Sequence, residues 1–363
     1  MQFLRHLFLA GLLALSPHIA DGETWQLQVP AVPFDDDSPT TTLAYQPLDH
    51  AAKPWRICVI YPHLKDAYWL SVNYGMVEEA NRLGVSFDLY EAGGYPNLTR
   101  QIEQVEACGK RQMDAMILGP VSYDGLTPAV VEIARQMPVI DAVNDMNDAG
   151  ITAKSSVSWR EMGAAAGRAI ATRHPKGSAP VRLAWFPGPK GAGWVQFVER
   201  GFMEALAESS AQIVATRFGD TGLEQQVLLV EDVLEQQVLL VEDVLDTVPD
   251  VDYLVGSGPM AEAAVSLLRA RGLTQRIGVV STYVSHGVYR GIKRGRILAA
   301  PTDFAVLQGR LAVELAVRAI EGRLTIRHAG PRITTLTPEN IDAVGTQESL
   351  APASFVPVFK VSN

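Results

Sequence analysis

What most constrains this chain is a rhythm. Short β-prone runs alternate with helical patterns twice over, and that layout calls for parallel strands, because each helix must carry the chain back to start the next strand in the same direction. The first run, Ile57 to Ile60, is continuously apolar, as a strand buried on both faces must be, and Pro62 ends it. From Trp69 the period becomes helical, with Val72, Met76, Ala80 and Leu83 on one stripe and Gly84 as the stop signal. Strands are expected again over Ser86–Ala92, Ala115–Gly119 and Val139–Val143, with helices over Leu98–Gly109 and Leu126–Gln136. A second round places strands at Val181–Phe186, Ile213–Phe218, Tyr253–Val255 and Ile277–Ser281, separated by helices such as Trp194–Ala207 and Met260–Arg271. The fold class is α/β, two doubly wound lobes, and in such sheets ligands meet the loops at the carboxyl ends of the strands. Tyr61, Asp66, Tyr68 and Trp69 lie on or beside the first such loop.

The flanks differ from this body. Arg5, the apolar run Leu7 to Leu15 and the small residue Ala20 read as a signal peptide over residues 1–20. That run is too short to span a bilayer, and no later stretch reaches about eighteen apolar residues, so an exported chain without stable membrane insertion is expected. Loss of residues 1–20 removes Arg5 and no acid, which takes the formal charge from −9 to −10. So acidic a chain is a poor partner for nucleic acid. Residues 21–53 hold Pro30, Pro33, Pro39, Pro47 and the acidic run Asp35 to Asp37, and are predicted to form an irregular arm that Trp25 and Phe34 pin to the body or to a partner. Cys58, on the first strand, and Cys108, on an apolar helix stripe, are read as buried free thiols, although a helix crossing over that strand would allow them to bridge.

No catalytic or cofactor motif stands out. Gly188 to Gly193 and Gly256 to Pro259 are glycine-rich loops at strand ends, yet neither has the Walker ending or the dinucleotide spacing with its downstream acid. No cofactor is expected, and the scattered histidines offer no metal pair, so binding is expected and not catalysis. One repeat interrupts the second lobe: Leu223–Val233 and Leu234–Val244 both read LEQQVLLVEDV. Eleven residues make almost a whole number of helical turns, so Leu223, Val227, Val230, Leu234, Val238, Val241 and Leu245 share one face, and the fold is expected to tolerate the extra copy.

From Ile57 through Gly322 the pattern resembles the periplasmic sugar-binding and repressor-core family, with landmarks EAGGYPNLTRQIEQVEAC, PVIDAVND and ERGFMEAL. That resemblance implies two Rossmann-like lobes joined by a three-crossing hinge, with ligand between them. The lobes are expected over residues 54–157 plus 302–327 and residues 158–301 plus 328–363. Within the family, YPHLKDAYWLSVNYGM, EAGGY, VSWREMG and STYVSHGVYRGIKRGR look like the periplasmic sensors of trimethylamine N-oxide (TMAO). That likeness implies TMAO as ligand and, as partner, the periplasmic sensor region of a membrane histidine kinase, for which the arm and the tail Gly330–Asn363 offer surface.

The departures from a sugar site support that direction. Sugar hydroxyls need paired donors and acceptors, yet the positions that usually supply them fall here on Asn144, Trp159, Val198, Ser257, Gly258 and Tyr283, so most of the fork is missing. Aromatics replace it. Tyr68, Trp69, Tyr95, Trp159 and Tyr283 all fall on strand-end or hinge loops, and with Asp66 they form the candidate ligand site. Ring faces hold methylated ammonium groups through their quadrupoles. The rival reading is a sugar or small-solute receptor that feeds a transporter, because the fold is shared and does not fix the function.

Overall fold

The computed structural model describes residues 23–35, 37–221 and 231–363. The signal-peptide reading and most of the first repeat copy lie outside these residues. The first lobe is built on strands β1 (Trp25–Pro30), β2 (Thr40–Tyr45), β3 (Arg56–Tyr61), β4 (Ser86–Glu91), β5 (Ala115–Leu118), β6 (Val139–Ala142) and β7 (Ala153–Ser155), with helices α1 (Ala67–Leu83), α2 (Leu98–Gly109) and α3 (Thr127–Ile133) between them. The second lobe follows with α4 (Trp159–Ala171), β8 (Val181–Phe186), α5 (Gly193–Leu206), β9 (Ala211–Thr216), α6 (Glu231–Thr247), β10 (Tyr253–Gly256), α7 (Gly258–Ala270), β11 (Gly278–Ser281) and α8 (His286–Lys293). The chain then runs through β12 (Ala300–Thr302), α9 (Ala305–Ile320), β13 (His328–Pro331), β14 (Thr334–Leu336) and β15 (Lys360–Val361). The larger sheet has the order β15-β4-β3-β5-β6-β7-β13-β1-β2 and the smaller β11-β10-β8-β9, while β12 and β14 form a separate pair. Within each lobe the strands that alternate with helices run parallel, as β3 does with both β4 and β5 and β8 with both β9 and β10.

Three crossings join the lobes: between β7 and α4, between β12 and α9, and between β13 and β14. The tail then passes back. Ala351 donates its N–H to the Ser71 hydroxyl of α1 at 3.1 Å and accepts from the His286 ring of α8 at 2.8 Å, so one residue is held by both lobes. Beyond it β15 pairs with β4.

Each lobe carries one helix pair packed backbone on backbone. In the first, a Cβ on Gly75 of α1 would strike the Val306 carbonyl of α9, and one on Gly309 of α9 would strike the Val72 carbonyl of α1. The second repeats this between α4 and α5, with Gly163 on the Val198 carbonyl and Gly201 on the Arg160 carbonyl. Such notches bring the helix backbones into direct contact, and interiors packed this closely leave little room for the pairs to slide.

Three expectations are corrected. Residues 21–53 are not an irregular arm: they supply the hairpin β1–β2, and Trp25, Leu27, Tyr45 and Leu48 are buried in the core of the first lobe. The alternation in WQLQVP, masked by the prolines around it, is the signal for the first strand. The tail does not belong wholly to the second lobe, because β13 pairs with β7 and β15 with β4, both in the larger sheet. Finally, Cys58 and Cys108 are bridged, with their Cα atoms 6.2 Å apart, because α2 crosses over β3 as the crossover geometry allows.

Of the repeat, the second copy is seen in α6, where Val241, Val244 and Leu245 are buried against Ala184 and Leu254 of the second lobe. Deleting Leu223–Val233 leaves the junction sequence unchanged, since Leu234 and Glu235 repeat Leu223 and Glu224. We expect the shortened chain to be soluble and to melt within about 3 °C of the parent, or about 1 kcal/mol at this size. Insoluble protein would show that both copies build core.

Candidate functional site

The site is assembled at the carboxyl ends of both sheets. Four helix N-termini meet there: α1 and α9 from one notched pair, α4 and α5 from the other. Asp66 caps α1, accepting the Trp69 N–H at 2.8 Å, and so fixes the first turn that carries Tyr68 and Trp69. The Tyr68 hydroxyl donates to Asp303, just ahead of α9, which also accepts from Gln308 at 2.6 Å. Trp159 opens α4, and its indole N–H donates to the Val143 carbonyl at 2.7 Å, a bond between the lobes made by a residue with φ of 71°. Trp194 lies in the first turn of α5, Tyr95 on the loop after β4, and Tyr283 on the loop after β11.

These residues enclose one small cavity lined by Asp66, Tyr68, Trp69, Tyr95, Asn144, Trp159, Trp194, Thr221 and Tyr283. All six candidate positions from the sequence are brought together. The rings touch edge to face across the gap between the lobes, with centroids 5.2 Å apart for Tyr68 and Tyr283 and 6.4 Å for Tyr95 and Trp194. Trp159 and Trp194 lie 5.2 Å apart. The space left is about 10 Å³, room for about one water, so a larger guest enters by exchanging ring-on-ring contacts for its own. A larger cavity, about 730 Å³, lies behind the hinge between the hairpin and α4, away from the rings; its walls mix apolar residues such as Pro30, Val157 and Ile333 with ion pairs such as Asp37 with Arg160 and Arg168 with Glu161.

Asn144, Trp194 and Thr221 were missed as site residues. Trp194 had a signal, since it follows the glycine loop after β8, as Trp69 follows the loop after β3. Asn144 donates to the Pro120 carbonyl at 2.8 Å and to the Tyr95 hydroxyl at 3.0 Å, holding that ring in place. Val198 and Ser257 stay outside: Val198 is buried where its carbonyl meets Gly163, and Ser257 caps α7. His63 is fully buried, and burial pushes it down to about 3, so it is a neutral packing partner of Tyr95. His286 is taken by Ala351.

The glycine loops have a different use from a phosphate cradle. A Cβ on Gly119 would lie 2.5 Å from the Trp69 ring, one on Gly188 2.6 Å from the Trp194 ring, and one on Gly258 2.7 Å from the Tyr283 ring. Each ring is seated on bare backbone. A fourth glycine sets the closure itself: a Cβ on Gly193 would collide with the Asp145 carbonyl on the opposite lobe. Asp145 is in turn held at 2.6 Å by the buried Lys154 ammonium.

Among the described residues no Lys or Arg lines the cavity. Enclosure of the Asp66 carboxyl raises it to about 7, against the pull of the Trp69 N–H and with the Glu262 charge adding to the rise. A carboxyl that holds its proton more tightly folded than unfolded loses stability for the fold as pH climbs from 3.8 to about 7. Asp66→Asn keeps the cap and removes this loss. The variant is expected to gain melting temperature relative to the parent between pH 4 and pH 8, and a difference that does not change with pH would refute the shift. Gly193→Ala should hold the lobes apart while leaving each lobe intact, which small-angle scattering would register as a larger radius of gyration; an unchanged radius would remove Gly193 from the closure.

The family described as periplasmic binding proteins and sugar binding domain of the LacI family matches residues 54–356. Periplasmic protein TorT of Escherichia coli K12 is 38% identical over 320 residues, 88% of each chain. Among solved structures, an ABC transporter solute binding protein from Bradyrhizobium sp. BTAi1 with bound bis-tris is 44% identical, with a TM-score of 0.78 over 94% of this chain and 99% of that one. TorT in complex with the TorS sensor domain, solved with TMAO and without ligand, is 40% identical, with a TM-score of 0.74 over 84% of this chain and 99% of that one. With the family matched over residues 54–356 and a relative 38% identical over 88% of the chain, the chain belongs to the periplasmic binding protein and LacI sugar-binding-domain family.

Proposed function

We propose that this chain is a periplasmic receptor for TMAO that presents the occupancy of its cleft to the sensor domain of the histidine kinase TorS, and that it binds its ligand without transforming it. The observation that carries the reading is the ring cage of Tyr68, Trp69, Tyr95, Trp159, Trp194 and Tyr283 around a cavity that, among the described residues, no basic side chain lines. TMAO presents a methylated cationic nitrogen and one oxygen. Each ring face contributes about 0.5–2 kcal/mol to such a group when water is excluded. The neutral form of Asp66 offers a proton to the oxygen below pH 7 or so, and its ionised form a counter-charge to the nitrogen above it. The TorS–TorT complexes support the partner, since TorT matches this chain over nearly all of its own length.

Signalling requires closure to be read at a surface. Ligand that touches both lobes favours the closed form by its differential contacts. The hairpin lies on the first lobe, yet Asp37 at its tip pairs with Arg160 at 2.9 Å and Arg200 at 3.2 Å on the second, so its loop is tied to both. Val32 on that loop and Val356 and Phe359 on the tail are exposed apolar residues outside the cleft.

The second reading, a solute receptor serving a transporter, is favoured by the relative with bound bis-tris, which also centres on a nitrogen carrying three carbon substituents. Titration calorimetry with TMAO tests the ligand: Trp69→Ala and Trp159→Ala should each lose about 1 kcal/mol or more. Equal affinity in either variant would take that ring out of the site. Co-purification with the periplasmic region of TorS tests the role. A protein that binds TMAO and never associates with that region, loaded or empty, is a transport receptor.

A further inference from the structure

Among the rings of the cleft, Trp194 has a property that the others do not share. Its side chain is buried, only 3% exposed, and its indole nitrogen is sealed from solvent without a hydrogen-bond partner. An indole N–H can only donate, and a buried donor normally finds an acceptor. Three of the polar groups around it are already engaged. The Trp159 N–H is bonded to Val143, the Tyr68 hydroxyl to Asp303, and the Asn144 amide to Pro120 and Tyr95. The Trp194 N–H approaches the Tyr95 hydroxyl, which already accepts from the Asn144 amide, but the contact falls outside hydrogen-bond geometry. The ring cannot turn away to find water, because Gly188 lies beneath it and the Trp159 and Tyr283 rings lie 5.2 and 6.2 Å from it.

We infer that the Trp194 N–H receives the oxygen of the ligand, and that this bond sets the preference of the site for an N-oxide over a methylated ammonium cation. The inference rests on the proposed function of the cleft. Its geometry has a consequence for closure, because Trp194 belongs to α5 of the second lobe while Trp69 and Tyr68 belong to α1 of the first. The methyl groups rest against rings of both lobes, and the oxygen adds a bond made from the second. A cation without oxygen fills the same rings, leaves the donor unmet, and draws the lobes together less strongly.

Tetramethylammonium is the direct probe, being TMAO with the oxygen replaced by a methyl group. Trp194→Phe keeps an aromatic ring over Gly188 and deletes the N–H. Calorimetry on the parent should show a preference for TMAO, and in the variant TMAO should lose at least tenfold more affinity than tetramethylammonium does. Nitrogen-labelled parent protein gives a second measurement that needs no variant to fold well: one indole N–H resonance, that of Trp194, should shift downfield with TMAO and stay nearly in place with tetramethylammonium. An unchanged ratio in Trp194→Phe, or an indole resonance that ignores which ligand is added, would overturn the inference and leave the proposed function standing. Collapse of the ratio in Asp66→Asn instead would assign the oxygen to the first lobe and overturn it too. A parent protein that ignores TMAO altogether removes the proposed function, and this inference with it.

Discussion

The cleft depends on how closely backbone can approach backbone. Helices α1 and α9 are notched into each other at Gly75 and Gly309, and α4 and α5 at Gly163 and Gly201. Each pair therefore ends in two N-termini held at a fixed offset, and those ends carry Asp66, Tyr68, Trp69, Asp303, Trp159 and Trp194. Gly193 then lets the second pair come down on Asp145 of the first lobe. A cage made from side chains of two bodies is only as well defined as the bodies are rigid, and glycine at the contacts removes the side chains that would otherwise flex there.

The segment that follows β6 connects the cage to the hinge. Val143 accepts from Trp159, Asn144 holds Tyr95, and Asp145 abuts Gly193 while its carboxylate meets Lys154. Lys154 is buried on β7, where Asp148 at 2.8 Å and Asp141 at 3.7 Å also face it, and its ammonium sits 5.5 Å from the Phe34 ring of the hairpin loop. Phe34 donates its N–H to His328, whose other ring nitrogen meets Ser156 at the first crossing. An ammonium taken out of water among three carboxylates holds its place because any shift would leave a charge unpaired. The ring cage, the crossing and the hairpin loop are thus in contact through one short stretch of chain.

The parts of this arrangement legible in the sequence were those with a strong local signature. The apolar run of β3, the helical stripe of α1 with its Gly84 stop and the aromatics beside strand ends stand out because period and residue type agree there. The hairpin was hidden because its strands pair with each other and with β13, some three hundred residues on, and because prolines crowd its turn. The bridge between Cys58 and Cys108 needed the exact path of α2 over β3, which spacing alone does not provide. Trp194 has a weaker signature, because a glycine loop at a strand end has the composition of a phosphate cradle as much as that of a seat for a ring. Gly188 and Gly258 on the two glycine-rich loops, and Gly119 beside them, make sense once each is seen as the floor under a ring, which is a statement about distance and not about motif.

The repeated segment bears on how this gene can change. Duplication of whole codons preserves the reading frame, and identical neighbouring copies are the substrate on which replication slippage acts. Most such events would wreck a domain by turning an apolar face toward water. Here eleven residues return the helix to nearly the same azimuth, and α6 meets the second lobe through its final turns, at Val241, Val244 and Leu245. A copy gained or lost upstream of that anchor would leave the azimuth of Val241, Val244 and Leu245 nearly unchanged, so the period of the repeat, more than its length, is what that contact constrains.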